Sequence, residues 1–314
     1  MISIVVMAHN EETSISRNLQ AILAQDGFCP DDRITVLENG ATDRTCEIVE
    51  SIAETHPCVS LCSIALGDKA NAWSFYTFNI SVSIEAEAHV FVDGDVVMRP
   101  GSLKAVRKAL TDYPDALAVS GLPYGGRTAD TWRARVLREH GLPGNFYVLR
   151  GSTLEKMRSE NWCLPVGYMG DDTFLQWILK RQLNASAEPN KFAIQPVPDA
   201  GFDYESIPNR TLSGLWMLYR RQRAYAMRDI QSKLLSDHVL ASSQNRPPRD
   251  ITALYANAKP WTALFGPFGR IKPFKLRKLL FLYTYMRTRK IPQEAGTHWY
   301  EGQARAPGAT PQRT

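Results

Sequence analysis

The sequence lacks any apolar run of the roughly 18 residues that a bilayer-crossing helix needs. It has little cysteine: Cys29, Cys46, Cys58, Cys62 and Cys163 are odd in number, and Cys58 and Cys62 have no second pair beside them. That excludes zinc-finger spacing and a disulfide framework, and points to a reduced, cytoplasmic compartment. A strand pattern begins at Ile2 with no basic region or leader before it, which supports the same expectation. Excess charge is small, +5 over 314 residues. It suits an anionic substrate or surface but is too weak to imply nucleic acid. Residues 121–126 hold glycines without the Lys-Ser ending of a P-loop, and no dinucleotide fingerprint follows the first strand. No Ser-His-Asp arrangement and no internal repeat stand out.

What is present is a globular composition, 44% apolar and 22% charged. The chain is long enough for one large domain or two small ones with a substantial core. Apolar runs at residues 2–7, 34–37, 59–64 and 90–92 read as strands. Helical spacing lies between them: Ile15, Leu19 and Ile22; then Ile48, Val49 and Ile52; then a helix over 68–84 with Trp73, Phe75 and Phe78. Strand and helix alternating with short connections predict a mostly parallel sheet. Further on, helices are expected after Pro100-Gly101, over 152–158 and over 173–181, and strands over 117–120 and 145–149. Residues 121–132 read as a polar excursion on the substrate side, and Gly167-Tyr168-Met169-Gly170 as a flexible connector. Residues 192–197 are extended, with Pro196 and Pro198 limiting the strand. A long helix over 212–235 follows, with Leu215, Leu218, Tyr219, Gln222 and Tyr225 at its repeating positions.

The chain is organised around Asp93-Gly94-Asp95, where a buried strand ends in two carboxylates. The carboxyl ends of strands are where open α/β sheets bind ligands. Two carboxylates there suit a hard divalent cation, Mg2+ or Mn2+. An ordinary Asp-Gly turn carries the same letters.

An ordered set of segments then resembles inverting glycosyltransferases of family 2. ISIVVMAHNEETSI over residues 2–15 resembles the opening of that family, with Met7 where a proline is usual and His9 where a tyrosine is common. Glu38-Asn39-Gly40-Ala41-Thr42-Asp43 is similar to its acidic Gly-Ser-Thr-Asp segment, retaining one acid of two. Lys69-Ala70 resembles a lysine-alanine step, Asp93-Gly94-Asp95 the metal motif, and residues 144–150 the acceptor-side strand. Gly170-Asp171-Asp172 resembles the acidic pair that carries the base. Residues 220–225 are similar to a basic-aromatic helix segment, without the glutamine-arginine-tryptophan pattern of processive members.

The resemblance covers about residues 1–228. It implies the glycosyltransferase A type fold: an α/β nucleotide-sugar-binding fold, mostly parallel central sheet flanked by helices, with a helical C-terminal extension. It also implies transfer from a nucleotide sugar, most simply a UDP-sugar, to a saccharide or lipid-linked acceptor. In that reading Asp95 holds Mn2+ or Mg2+, with Asp93 serving metal and ribose. Asp172 is the base with Asp171 beside it, and His9, Glu11, Glu38, Lys69, Arg220 and Arg223 bind the donor. A nucleotidyltransferase of similar architecture would call for a glycine-rich basic opening, which is absent. A non-catalytic saccharide-binding or scaffold protein has no need of Asp93, Asp95 and Asp172.

The expected organisation is a catalytic domain over 1–208, a helical extension over 209–291 and a disordered tail over 292–314. Residues 268–290 mix eight basic groups with an apolar centre and no acid. Such a stretch suits peripheral contact with an anionic membrane at its cytoplasmic face, or a helix packed on the catalytic domain.

Overall fold

A computed structural model describes residues 1–206, 211–242, 245–256 and 297–301. The basic stretch 268–290 lies outside the described residues, as do 292–296 and 302–314.

The first half of the chain alternates strand and helix: β1 (Ile2–Ala8), α1 (Ile15–Leu23), β2 (Arg33–Asn39), α2 (Thr45–Thr55), β3 (Val59–Ile64), α3 (Lys69–Phe75) and β4 (Ala88–Asp93). Then come β5 (Val96–Met98), α4 (Ser102–Asp112), β6 (Ala118–Gly125), α5 (Ala129–Glu139), β7 (Phe146–Arg150), α6 (Gly151–Ser159), α7 (Asp171–Lys180) and β8 (Ile194–Tyr204). The described chain ends with α8 (Leu212–Ala241), α9 (Thr252–Ala256) and β9 (Thr297–Glu301).

These strands form a single sheet in the order β5-β8-β6-β7-β4-β1-β2-β3-β9. Pairing is parallel from β4 through β1 and β2 to β3. Beyond β4 the sheet is mixed, because β7 runs antiparallel to both β4 and β6.

All seven residues of β1 are buried, as a strand covered on both faces must be. Successive side chains alternate between two cores. Ile4 and Val6 pack with Ile15, Leu19 and Ile22 of α1 and Val106 and Leu110 of α4. Val5 and Met7 pack on the other side with Trp73, Phe91, Tyr147, Phe174 and, from α8, Met227 and Ile230. The result is helix, sheet, helix. After β3 the chain crosses back over β1 to place β4 on its far side, so the carboxyl ends of β1 and β4 diverge and open a crevice.

Several expectations need correction. The helix over 68–84 stops at Phe75 and continues as a wide π turn over Tyr76–Ile80 and a tight turn over Ser81–Ser83. The widening starts at Tyr76, whose buried hydroxyl lies 2.8 Å from Ser3 Oγ and 2.7 Å from His89 Nδ1. Residues 121–132 are no loop excursion: they finish β6 and begin α5. Gly121 is needed inside the strand, because a Cβ there would come within 2.2 Å of the Phe146 ring.

Nor do the prolines end β8, which runs on to Tyr204. Its outer neighbour β5 pairs only with residues 202–204, so at Pro196 and Pro198 no donor is required on that side. At the start of α8 the expected apolar positions Leu215 and Tyr219 are exposed, together with Trp216 and Met217. The helix contributes buried apolar side chains from Met227 onward, with Ala226 packed beside them. Within the tail expected to be disordered, residues 297–301 pair as β9 against β3. No helix among the described residues is long and apolar enough to cross a membrane.

Candidate active site

Every strand end in the crevice is tied to a neighbour. Asp93 N–H donates to the Asn145 carbonyl (3.0 Å) and Gly94 N–H to the Met7 carbonyl (2.8 Å). Buried Asn18 on α1 donates to the carbonyls of Asp93 (3.0 Å) and Val96 (2.8 Å), fixing both sides of the acidic turn. A Cβ on Gly94 would meet Glu11 Cγ at 3.1 Å and the Met7 carbonyl oxygen at 3.3 Å, tighter than ordinary contact, so any larger residue would have to displace Glu11 or the end of β1.

The loop after β1 is lashed to the loop after β2. Asn10 adopts a left-handed backbone, φ 58°, and its Oδ1 accepts from Thr42 N–H at 2.7 Å. Glu11 N–H donates to Thr45 Oγ1 (2.8 Å) and Glu12 N–H to Asp43 Oδ2 (3.0 Å). His9 Nδ1 lies 2.6 Å from the Asn39 carbonyl and so carries a proton to donate there. These ties leave an open cleft of about 170 Å3 lined by Met7, Ala8, His9, Glu11, Asn39, Lys69, Asp93 and Asp95.

Lys69 joins the two acidic groups. It opens α3, whose cap Asp68 accepts from Asn71 N–H at 2.8 Å. Its Nζ lies 2.6 Å from Asp93 Oδ1 and 3.2 Å from Asp171 Oδ2, and donates to the Gly144 carbonyl at 3.3 Å. Burial alone would lower the Lys69 pKa, but Asp171 and Asp93 together hold it well above its ordinary value. Asp93 is pushed up to about 7, first by burial and also by Asp95, against the pull of Lys69. Glu11 is raised as well, by burial and then, against its bond from Ser14, by Asp95 and Asp43.

The acids Asp171 and Asp172 occupy the first turn of α7, where the helix dipole favours negative charge. Asp172 Oδ1 accepts from Thr173 N–H at 2.7 Å, and its Oδ2 lies 4.0 Å from Arg228 Nη1. Burial and the neighbouring Asp171 raise its pKa, while Arg228 and Lys69 oppose them. Gly144 stands directly behind: a Cβ there would lie 3.1 Å from Asp172 Cβ.

Of the residues singled out from the sequence, His9, Glu11, Lys69, Asp93 and Asp95 line the cleft. Lys69 also reaches Asp171, next to Asp172. Glu38 is turned inward, 2% exposed; its carboxylate accepts from Ala41 N–H, Ser63 Oγ and, at 3.3 Å, Cys46 Sγ. It shapes the loop, and its neighbour Asn39 takes the cleft wall. Arg220 is exposed and Arg223 lies over the Tyr219 ring, 5.9 Å from its centroid. The arginine that faces Asp172 is Arg228, which the sequence motifs do not single out. Helical spacing was the available signal, since Arg228 falls about one turn beyond Ala224 of the 220–225 segment and next to Met227, a core residue.

Among the described residues no three acids, histidines or cysteines enclose an ion by themselves. The donor set nevertheless fits a hard dication. Asp95 forms no ion pair among the described residues and opens into the cleft, and it crowds both Glu11 and Asp93 electrostatically. Mg2+-type sites commonly take one or two carboxylates and complete their shell with phosphate and water.

A crevice at a sheet switch point, carboxylates on the β4 end and a second acidic pair across a lysine define a nucleotide-sugar-binding α/β domain of the glycosyltransferase A type. The chain belongs to Glycosyl transferase family 2, whose family profile matches residues 3–182. Among solved structures it is similar to the mannosyltransferase PcManGT from Pyrobaculum calidifontis, in complex with GDP-Man and Mn2+. That match has 20% identity and TM-score 0.54, over 91% of this chain and 82% of that one. A mycobacterial protein matches with 18% identity and TM-score 0.50, over 75% and 74% of the two chains. Glucosyl-3-phosphoglycerate synthase from Mycobacterium tuberculosis, with Mn2+, UDP and phosphoglyceric acid, matches with 20% identity and TM-score 0.49, over 73% and 78%. No curated protein sequence matches the chain.

Proposed function

We propose that this protein is an inverting glycosyltransferase that moves a sugar from a nucleoside diphosphate sugar, a UDP-sugar favoured, to a hydroxyl of a glycan or lipid-linked acceptor. The observation that carries the reading is the Lys69 bridge, which holds a donor-side carboxylate, Asp93, against the acidic pair of α7. With a lipid-linked acceptor the protein would work at the cytoplasmic face of a membrane.

The chain's own groups divide the work. His9, Asn39 and Glu11 form the wall that would receive the nucleoside, with Glu11 offering a carboxylate to a base N–H. Asp95 and Asp93 would hold Mg2+ or Mn2+, which when bound supplies positive charge to the departing diphosphate. Asp172 accepts the proton of the acceptor hydroxyl as its oxygen bonds to the sugar C1. The bond from C1 to the donor phosphate oxygen breaks, and its electron pair leaves with the nucleoside diphosphate. Attack from the opposite face inverts C1, so no covalent sugar-enzyme bond forms. The raised pKa of Asp172 makes it a better base than an ordinary carboxylate.

The test is a panel of UDP- and GDP-sugars with Mn2+ or Mg2+, scored for donor hydrolysis, transfer and calorimetric binding. The GDP arm is included because the structural neighbour from Pyrobaculum was solved with GDP-Man. At least one donor should bind and turn over. Asp172→Asn should lower kcat by about 10^2–10^4-fold with donor affinity kept, whereas Asp95→Asn should lose metal-dependent donor binding. If no donor bound or turned over, the proposal would fail.

A further inference from the structure

Gly167-Tyr168-Met169-Gly170 leads into the acidic pair of α7, and its glycines suggest slack. The structure shows it clamped from two sides. Gly167, at φ 85°, donates its N–H to Asp68 Oδ2 at 2.7 Å, and Asp68 is the residue before Lys69. From α8, Gln231 Oε1 accepts Met169 N–H at 2.8 Å, and its Nε2 donates to the Gly167 carbonyl (3.1 Å) and to Tyr255 Oη (2.6 Å). Tyr168 Oη lies 2.9 Å from Ser232 Oγ. Gly170 lies so close to α8 that a Cβ would come within 2.7 Å of Arg228 Cγ.

Gln231 is 1% exposed, and both its N–H donors and its oxygen are engaged. A buried amide spent on the backbone of a turn rather than on its own helix fixes that turn's position. Two residues beyond the clamped Met169 amide, α7 begins. A shift of its first turn changes how Asp172 stands against Arg228 on α8 and against Gly144.

We infer that Gln231 is a positioning residue for Asp172: through the turn over residues 167–170 it sets where the base stands between Arg228 and Gly144. The inference rests on Asp172 being the base, but its geometry can be tested without substrate. The groups that set the charge environment of Asp172 are Asp171 and the Thr173 amide on α7, Lys69 on α3, Arg228 on α8 and the Tyr168 hydroxyl in the turn. Loosening the turn alters the distances among them.

The experiment compares Gln231→Leu with Tyr255→Phe. The second substitution removes a partner of Gln231 without touching the turn, and so controls for stability. In Gln231→Leu, kcat should fall at least about tenfold, since small misplacements of reacting groups cost up to about 10^2-fold. Donor affinity by calorimetry should stay within about twofold, because Gln231 bonds to none of the residues that line the cleft and the Asp68 tie beside Lys69 is kept. The Asp172 carboxyl resonance, followed by 13C NMR against pH, should titrate at a shifted midpoint. Tyr255→Phe should match wild type in kcat and in that titration, even where its Tm falls. Gln231→Glu, which keeps an acceptor for Met169 N–H, should lie between them, and it serves if the leucine variant does not fold.

The inference is overturned if the leucine and phenylalanine variants lose kcat in proportion to Tm. It is equally overturned if Asp172 titrates in Gln231→Leu, or in its glutamate stand-in, as in wild type. Were wild type inactive with every donor, the functional proposal would fall, and the titration would still decide whether Gln231 positions Asp172.

Discussion

His89 illustrates, for a single residue, how a polar group is made safe inside this sheet. It is 2% exposed on β4, and its Nδ1 is hydrogen-bonded to the Tyr76 hydroxyl at 2.7 Å, which is in turn 2.8 Å from Ser3 Oγ. Burial, with help from Arg158, pushes its pKa down to about 4 from an ordinary 6.5. Between those values the unfolded chain binds a proton that the folded chain refuses. Stability from this group is therefore complete above pH 6.5 and is lost as pH falls toward 4, by about 3 kcal/mol at most. Urea midpoints measured across that window should fall with pH in the wild type. In His89→Gln, which keeps an acceptor for Tyr76, the slope should flatten. Lys69 is the opposite case, a half-buried group that stays charged because two carboxylates outweigh its partial loss of water.

The elements meet at the site with little space between them. The loop before β7 passes behind the first turn of α7, and Gly144 makes the approach possible. In Gly144→Ala the new methyl would press on Asp172 Cβ from 3.1 Å, tighter than ordinary contact. We expect the variant to fold, with its Tm lowered only slightly, and to lose kcat about tenfold or more through displacement of the base. Steady-state kinetics with the identified donor checks this, and unchanged kcat would mean that Asp172 tolerates the shift. Helix α8 is two things along its length. From Met227 to Val239 it contributes to the core, while Leu215, Trp216, Met217 and Tyr219 stand exposed on its first turns beside Arg220 and Arg221.

For the molecule as a whole, the sheet is closed at one margin by a strand from far along the chain. β9 pairs antiparallel with β3, bringing Tyr300 opposite Leu61 and Trp299 opposite Cys62. An uncovered β3 would offer its backbone to other chains. Adjacent N–H groups of a strand point to opposite sides, so Tyr300→Pro combined with Trp299→Pro removes a ladder donor and should cost about 1 kcal/mol or more in urea denaturation. It should also speed hydrogen exchange along β3 and promote association at high concentration, measured by light scattering. Protection of β3 equal to wild type would show that this pairing adds nothing.

The parallel half of the fold was legible in the sequence alone, because strands buried on both faces read as near-continuous apolar runs, as β1 does with Ser3 its single break. The places of Asp93-Gly94-Asp95 at a strand end and of Asp171 and Asp172 at a helix start were legible too, since such ends leave a local imprint in glycine and carboxylate; Lys69 stood out only through the family resemblance. Which neighbours those residues meet was decided only by the tertiary structure. Glu38 and Asn39 are adjacent letters, yet the β2 register turns one inward to Ser63 and Cys46 and leaves the other at the cleft. Arg228, Gly144 and Gln231 gain their places from contacts across 56, 28 and 62 residues of sequence, respectively. The acidic turn after β4 is organised in the same way: its chemistry is local, but its height and direction are set by Met7, Asn18 and Asn145. Periodicity records which face of an element is buried; which distant element covers that face follows only once the sheet has ordered its strands.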